Sequence, residues 1–171
     1  MARKPSTQAR SGCPVSKTLD LLGDRWSLLI VRDLMVRAYR TFREFQSSGE
    51  GIASNILADR LKKLEAGGIL FAERAEQDGR STHYRLTEKG IALAPVMLEM
   101  LIWGAHYEQT DAPCAVIDHM EQNRAAVLAE TYRRWQERDP TPLLPPFTSS
   151  QPEPEKTASA RNPNRRGKPE R

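Results

Sequence analysis

The chain has 171 residues, of which 39% are hydrophobic and 28% are charged, and it carries a formal net charge of +4. This length predicts one folded domain with appendages, and the composition is typical of a globular protein. Two cysteines are too few for a disulfide framework, and no apolar run approaches the ~20 residues of a transmembrane helix. Because the basic N-terminus also lacks the apolar core of a secretion signal, we expect a cytoplasmic, nucleoid-associated protein with no membrane partner.

The excess positive charge lies at the two ends of the chain. Residues 13–138 carry 17 positive and 18 negative side chains, so this part is not basic overall. Within it, the stretch 32–63 holds seven arginines and lysines against four acidic residues. Where charge is concentrated matters more for recognition than its sum, so this stretch is the candidate binding region.

Composition divides the chain into four predicted parts. Residues 1–11 are expected to be flexible, residues 12–110 to form the main domain, and residues 111–138 to add a C-terminal helix. The tail, 139–171, contains eight of the twelve prolines and is expected to be disordered, because it buries too little apolar surface to offset the entropy of ordering. Apolar residues at 143, 144 and 147 leave open that its beginning docks on the body.

Helical spacing of apolar residues predicts the first elements of the main domain. Pro14 suits the first turn of a helix whose apolar stripe is Val15, Leu19 and Leu22. A second stripe predicts a helix that includes residues 26–34. The segment 41–48 predicts a short helix whose two phenylalanines face inward.

The next stretch, 51–70, predicts a helix with one anchored face. Its spacing places Leu57, Leu61 and Leu64 on one side. We expect Ser54 to cap the start of this helix and the glycines at 67 and 68 to end it.

The remaining elements are a hairpin and two further helices. Strand-like runs flank Asp78–Gly79, which is a hairpin signal. Thr87 is expected to cap a long apolar helix that Pro95 kinks or breaks. Residues 115–139 are predicted to form one amphipathic helix, with a buried side that contains Ile117, Met120, Leu128 and Trp135.

This order of elements is typical of a winged helix-turn-helix, a mainly α fold with a small β-hairpin. The chain from residue 13 to 108 resembles the HxlR family of bacterial winged-helix transcriptional regulators. The resemblance lies in "CPVSKTLDLLGDRWSLLIVRDL", "TFREFQ", "GIASNILADRLKKLEAGGIL", "HYRLTEKG" and "WGAHYE". It implies a sequence-specific regulator that binds double-stranded operator DNA as a homodimer, with extra N- and C-terminal dimerisation helices. The family includes repressors and activators, so the direction of regulation does not carry over.

On this fold the helix within residues 51–70 would enter the major groove, with one face anchored and the other presenting hydrogen-bonding groups. Asp59 has two interpretations, as an acceptor for a cytosine amino group or as an ion-pair partner of Lys62 or Lys63. A capped, solvated helix face is the simpler interpretation of the same side chains. The residues expected to contact DNA are Arg43, Ser54, Asn55, Asp59, Arg60, Lys62, Lys63 and Arg80.

The predicted dimer contacts and Cys13 complete the candidate sites. Residues 91–105 hold more apolar surface than one small core covers, and the expected interface contains Val15, Leu19, Leu98, Leu101, Ile102 and Trp103. Cys13 directly precedes a helix, a position that favours thiolate chemistry, so it is a candidate redox sensor. A small side chain packed at the dimer seam is the alternative.

The sequence offers no metal-ligand spacing, nucleophile motif or Gly-rich phosphate loop, so we expect no metal, no cofactor and no enzymatic activity. An oxidant, electrophile or other small molecule remains a candidate effector. Two other functions stay open. One is a winged-helix protein-interaction module without DNA binding, and the other is a thiol enzyme that uses Cys13.

Overall fold

The computed structural model describes residues 12–74 and 81–144. Within these ranges the chain forms eight helices and one antiparallel hairpin. In chain order the elements are α1 Pro14–Leu22, α2 Arg25–Met35, α3 Phe42–Gln46, α4 Ser54–Ala66, β1 Leu70–Arg74, β2 Thr82–Leu86, α5 Glu88–Ile91, α6 Ala94–Tyr107, α7 Cys114–Gln122 and α8 Arg124–Gln136.

Elements α2 to β2 form a winged helix-turn-helix, as predicted. Helix α4 packs against α2, α3 and β1 through Leu57, Leu61 and Leu64, which are all buried. Phe45 of α3 joins the same core. In the antiparallel hairpin, Leu70 of β1 lies opposite Leu86 of β2. The apolar stripe of α4 therefore fixes this helix on the core and determines which side chains it leaves exposed.

The two ends of α4 differ in how their free backbone groups are hydrogen-bonded. At its end, Gly68 adopts a φ of 68°, and the amides of Gly68 and Ile69 donate to the carbonyls of Glu65 and Leu64, both at 2.9 Å. This is the predicted left-handed glycine termination. The predicted Ser54 cap is wrong, because Ala53 occupies the N-cap position and no side-chain hydrogen bond caps the helix. Ser54 is already the first helical residue.

The predicted break in the long apolar helix is confirmed. Thr87 caps α5 by accepting from the Gly90 amide, and α6 starts at Ala94, directly before Pro95. Gly90 is required here because a Cβ atom at this position would lie 2.0 Å from the Ile69 carbonyl oxygen. The stretch Glu88–Tyr107 is long and apolar enough to cross a membrane by length and composition alone, which is weak evidence because core helices pass the same test.

The C-terminal part is a pair of helices where one was predicted. Asn123 interrupts the helix with φ −123° and ψ 33°, so α7 and α8 can both pack on α6. Ile117 and Met120 are buried as predicted, and Leu128 and Trp135 are half-buried. The indole Nε1 of Trp135 donates to the Leu86 carbonyl at 2.8 Å, which ties α8 to the hairpin.

The chain remains attached to the body beyond the predicted boundary at residue 139. The amides of Leu143 and Leu144 donate to the Val36 carbonyl at 2.8 and 3.2 Å, and Leu144 packs against the core. Arg134 donates to the Pro142 carbonyl at 3.0 Å. Apolar burial and these bonds hold 139–144 on the body, as the sequence left open for the apolar residues 143 and 144. The predictions for residues 1–11 and 145–171, for the turn at Asp78–Gly79 and for Arg80 concern residues outside the described ranges.

Candidate nucleic-acid interface

One face of α4 is exposed and polar. Asn55, Asp59 and Lys62 recur at intervals of four and three residues, opposite the buried leucines, and all three are exposed. We call these three side chains the recognition surface. Arg43 of α3 and Ser54 are exposed as well. The fold therefore presents five of the eight predicted DNA-contacting residues to solvent.

Asp24 connects the start of α2 to the flank of α4. Its carboxylate caps α2 by accepting from the amides of Trp26 and Ser27, both at 3.0 Å, and from the Ser27 hydroxyl at 2.7 Å. The same carboxylate lies 3.4 Å from Arg60 Nε and 3.4 Å from Lys63 Nζ. Two predicted DNA contacts are thus held at the α2–α4 seam.

The environment of Asp24 favours its charged form. Burial alone would raise the pKa of this carboxyl, but the Ser27 hydroxyl, the two backbone amides and the charge of Arg60 together lower it below its ordinary value. The sequence interpretation missed Asp24, although an aspartate just before a helical stripe is a recognisable cap signal.

A buried ion-pair network positions the loop that enters α4. Asp33 is buried and pairs with Arg32 at 2.7 Å and with Arg37 at 3.2 Å. Arg32 also bonds Glu50 at 2.7 Å, and Arg37 donates to the Ser48 carbonyl at 2.9 Å. Burial raises the pKa of Asp33, against the opposing effect of the two arginines. The network therefore joins α2 to the loop at residues 48–50.

The positive cluster seen in the sequence is mostly occupied by these internal contacts. Among residues 12–74 and 81–144, Arg43 and Lys62 are the members of the cluster whose side chains have neither an ion pair nor a hydrogen bond. Asp59 pairs with Arg60 at 3.4 Å, so the alternative that it pairs with Lys62 or Lys63 is wrong. Asp59 and Arg60 are neighbours in the sequence, so their charged groups can meet beside the helix.

The predicted dimer residues separate into two groups. Val15, Leu19 and Trp103 are 66%, 60% and 58% exposed in the single chain, as residues that a partner would cover must be. Leu98 and Ile102 are each 4% exposed because they pack with Met120 of α7, so the structure corrects their assignment. Leu101 is half-buried and packs on the main core, so it too is largely covered by its own chain.

Helix α6 has a second apolar stripe, of which the sequence interpretation recognised only Trp103. Val96, Met100, Trp103 and Tyr107 recur at four, three and four residues, and between 48% and 72% of each is exposed. We call these four side chains the outer face of α6. The Trp103 and Tyr107 rings lie 5.4 Å apart between centroids, which extends one continuous aromatic surface. The spacing itself was the available signal.

The cysteines and histidines form no metal site within the described ranges. No group of three His, Cys, Asp or Glu side chains there is arranged to hold a metal ion. Cys13 and Cys114 are exposed at the starts of α1 and α7, and neither takes part in a disulfide. Cys13 therefore remains accessible to small reagents in the separate chain.

Comparison with known proteins points to one family. The family model described as "HxlR-like helix-turn-helix" matches residues 21–112. The chain is 34% identical over 115 residues to YdeP of Bacillus subtilis, an uncharacterized HTH-type transcriptional regulator, covering 67% of this chain and 84% of YdeP. The crystal structure of PA1607 aligns with a TM-score of 0.55 at 44% identity, over 59% of this chain and 69% of that one.

A further solved relative is the redox regulator HypR in its oxidized form. It aligns with a TM-score of 0.51 at 32% identity, over 57% of this chain and all of HypR. The matched family region ends at residue 112, directly before α7. Helices α7 and α8 are therefore additions to the part of the chain that the family model describes.

Proposed function

The chain belongs to the HxlR family of helix-turn-helix transcriptional regulators, and from this premise we propose that it binds operator DNA as a homodimer through α4. The observation that carries the proposal is the recognition surface. Asn55, Asp59 and Lys62 stand exposed on a helix whose other face is fixed by three buried leucines. A helix anchored in this way can present its polar side to base edges in the major groove.

The side chains of this surface suit different parts of a duplex. Asn55 can make a bidentate contact to adenine, and Asp59 can accept from a cytosine amino group. Lys62 and Arg43 carry charges suited to phosphates. The uncapped first turn of α4 also leaves backbone amides available to a phosphate oxygen. These roles give sequence readout to the centre of the face and positioning to its edge.

A second copy of the chain is the partner that the apolar surfaces favour. Val15 and Leu19 of α1 and the outer face of α6 leave large hydrophobic side chains exposed in the separate chain. Contiguous exposed apolar side chains commonly mark protein interfaces. In a two-fold dimer, two copies of α4 would read half-sites about 10 base pairs apart, or a multiple of this distance.

The resemblance to HypR favours a redox response as a second element of the function. HypR is a redox regulator solved in its oxidized form, and Cys13 of this chain is exposed at the start of α1. The variant Cys13→Ser should bind DNA as the wild type does and should lose any response to diamide. If wild-type binding does not change with diamide, Cys13 does not act as a sensor.

The proposed DNA binding is tested by titrating the protein against its own upstream region. Binding should depend strongly on salt and should be tighter than to a scrambled duplex. Asn55→Ala should weaken binding to the cognate duplex by about 1–3 kcal/mol and leave binding to the scrambled duplex almost unchanged. Arg124→Gln, which removes a positive charge from α8, is the matched control.

The outcome also separates this function from a protein-interaction module. Equal affinity of the wild type for cognate and scrambled DNA would contradict sequence-specific recognition. Lack of salt-dependent binding to any duplex would favour the module. If Asn55→Ala and Arg124→Gln lose affinity equally, α4 is not the reader.

A further inference from the structure

A cavity of about 300 Å³ separates the winged-helix core from α8. Its walls include Met35 at the end of α2, Arg85 and Leu86 of β2, and Trp135 of α8. This volume is at the lower end of small-molecule sites. Because α8 lies outside the family-matched region, one wall of the cavity comes from a part of the chain that the family model does not describe.

Arg40 gives the cavity a positive charge that the protein does not pair. Its Nη1 donates to the carbonyls of Leu34 and Tyr39 at 2.6 and 2.8 Å. Across the described part of the chain, no carboxylate lies within ion-pair distance of this guanidinium, and its other nitrogens have no protein partner. By contrast, Arg85 pairs with Glu73, and Arg134, which also lines the cavity, pairs with Glu130.

The surroundings of Arg40 disfavour its positive charge. Burial, followed by the charge of Arg85, lowers the pKa of Arg40 to about 10. The charges of Glu44 and Glu73 oppose this shift, so the Arg40 side chain stays protonated at neutral pH, although neither carboxylate forms an ion pair with it. A partly buried cation of this kind gains when an anion enters its site, because the anion restores the interactions that burial removed.

We propose that this cavity binds a small aromatic carboxylate, with the carboxylate at Arg40 and the ring against Met35 and Trp135. Apolar side chains around a few convergent polar groups are the usual composition of such sites. The guanidinium of Arg40 offers nitrogens in the planar arrangement that matches a carboxylate.

The walls of the cavity are bonded to the hairpin. The Tyr84 amide donates to the Arg40 carbonyl at 2.7 Å, and Trp135 donates to the Leu86 carbonyl at 2.8 Å. A bound carboxylate thus contacts both supports of β2. An effect of this ligand on DNA affinity rests on the proposed function, whereas binding itself does not, and the experiment below contains no DNA.

The experiment uses the full chain labelled with ¹³C at its methionine methyl groups. Met35 lines the cavity, whereas Met100 lies on the outer face of α6 and serves as an internal reference. Met35→Leu assigns the resonance. Benzoate should shift the Met35 methyl saturably, with a dissociation constant on the order of millimolar for a ligand of this size. Benzamide, which has the same shape without the charge, should bind at least tenfold more weakly.

Matched variants locate the charge. Arg40→Gln should weaken benzoate binding at least tenfold, and Arg74→Gln, which removes a charge from the exposed side of the same hairpin, should leave it unchanged. Three results would each overturn the proposal: equal binding of benzoate and benzamide, a larger shift at Met100 than at Met35, or no saturable shift. If Arg40→Gln does not fold, the wild-type comparison of the two ligands still decides.

Discussion

Helices α4 and α6 each leave one face uncovered, and the two faces differ in chemistry. The recognition surface of α4 consists of an amide, a carboxylate and an ammonium group. The outer face of α6 consists of Val96, Met100 and two aromatic rings. Both helices bury their opposite faces in the core of the same chain. The difference in chemistry between the two exposed faces therefore does not arise because one helix has no core to pack on.

The comparison indicates which kind of partner each face fits. Exposed apolar side chains gain free energy by leaving water, so the outer face of α6 favours another protein surface. Exposed polar groups gain little unless a partner supplies matching donors, acceptors or charges, as the edges and phosphates of DNA do. The following variants test this division, beginning with the largest expected effect.

The first prediction concerns the outer face of α6. Trp103→Glu should prevent dimerisation, because a carboxylate would replace the centre of the apolar stripe. Loss of one of two linked recognition helices should then lower affinity for the cognate duplex by about 100-fold or more. Light scattering and DNA titration measure the two effects on the same sample.

The control for this prediction is His106→Gln, a change on α6 outside the stripe, which should alter neither property. A Trp103→Glu protein that remains dimeric would show that the outer face is not the interface. A monomer with full DNA affinity would break the proposed connection between dimerisation and recognition.

The second prediction concerns the opposite side of the same helix. Leu98→Ala removes a buried side chain that packs with Ile102 and Met120, so the free energy of unfolding should fall by about 2–5 kcal/mol. Because this residue is covered by its own chain, the dimer should keep its affinity. Urea unfolding and light scattering together distinguish the two roles, and a dimer-specific loss would contradict the assignment of Leu98 to the core.

The sequence predicted the order of the elements but not which side of α6 would be covered. Apolar side chains surround this helix, so the pattern of Leu98 and Ile102 looks as suitable for an interface as that of Val96 and Met100. Which side of α6 is covered depends on α7, which can pack on α6 because the helix is interrupted at Asn123. The apolar periodicity of α6 does not show a tertiary contact of this kind.

The exposure of the candidate DNA-contacting side chains was predicted well at the centre of α4 and less well at its edges. The spacing of the leucines in α4 determined that Asn55 and Lys62 would face outward. A count of charges, however, cannot show that Asp24 holds Arg60 and Lys63, because this aspartate lies some forty residues away in the sequence. Internal pairing therefore removed cations that the sequence made look available.

The third prediction compares two adjacent lysines. Lys62 has no partner in the described part of the chain, whereas Lys63 lies 3.4 Å from Asp24. Lys62→Ala should reduce the salt dependence of DNA binding by about one unit per half-site, on cognate and scrambled duplexes alike. Lys63→Ala should change it less, since its charge is already partly neutralised.

Titration at three or more salt concentrations gives both slopes. Equal slopes for the two variants would show that the ion pair with Asp24 opens when DNA binds. A larger change for Lys63→Ala than for Lys62→Ala would contradict the assignment of the recognition surface.

The last prediction concerns the pH dependence of the Asp24 contacts. The folded state lowers the pKa of this carboxyl, so its charge stabilises the fold above the ordinary pKa of about 3.9, and this stabilisation is lost as the pH falls through the folded-state value. Asn can still cap a helix but cannot pair with Arg60 or Lys63. Asp24→Asn should therefore be less stable than the wild type by about 1 kcal/mol at pH 7, and the difference should shrink below pH 4. Urea unfolding at several pH values measures this, with Asp118→Asn, an exposed carboxylate on α7, as the control. A difference that stays constant with pH would mean that Asp24 acts through its cap alone.

If the charge matters, the variant should also release Arg60 and Lys63 from the α2–α4 seam and bind scrambled DNA more tightly than the wild type does, because two cations then become available to phosphates.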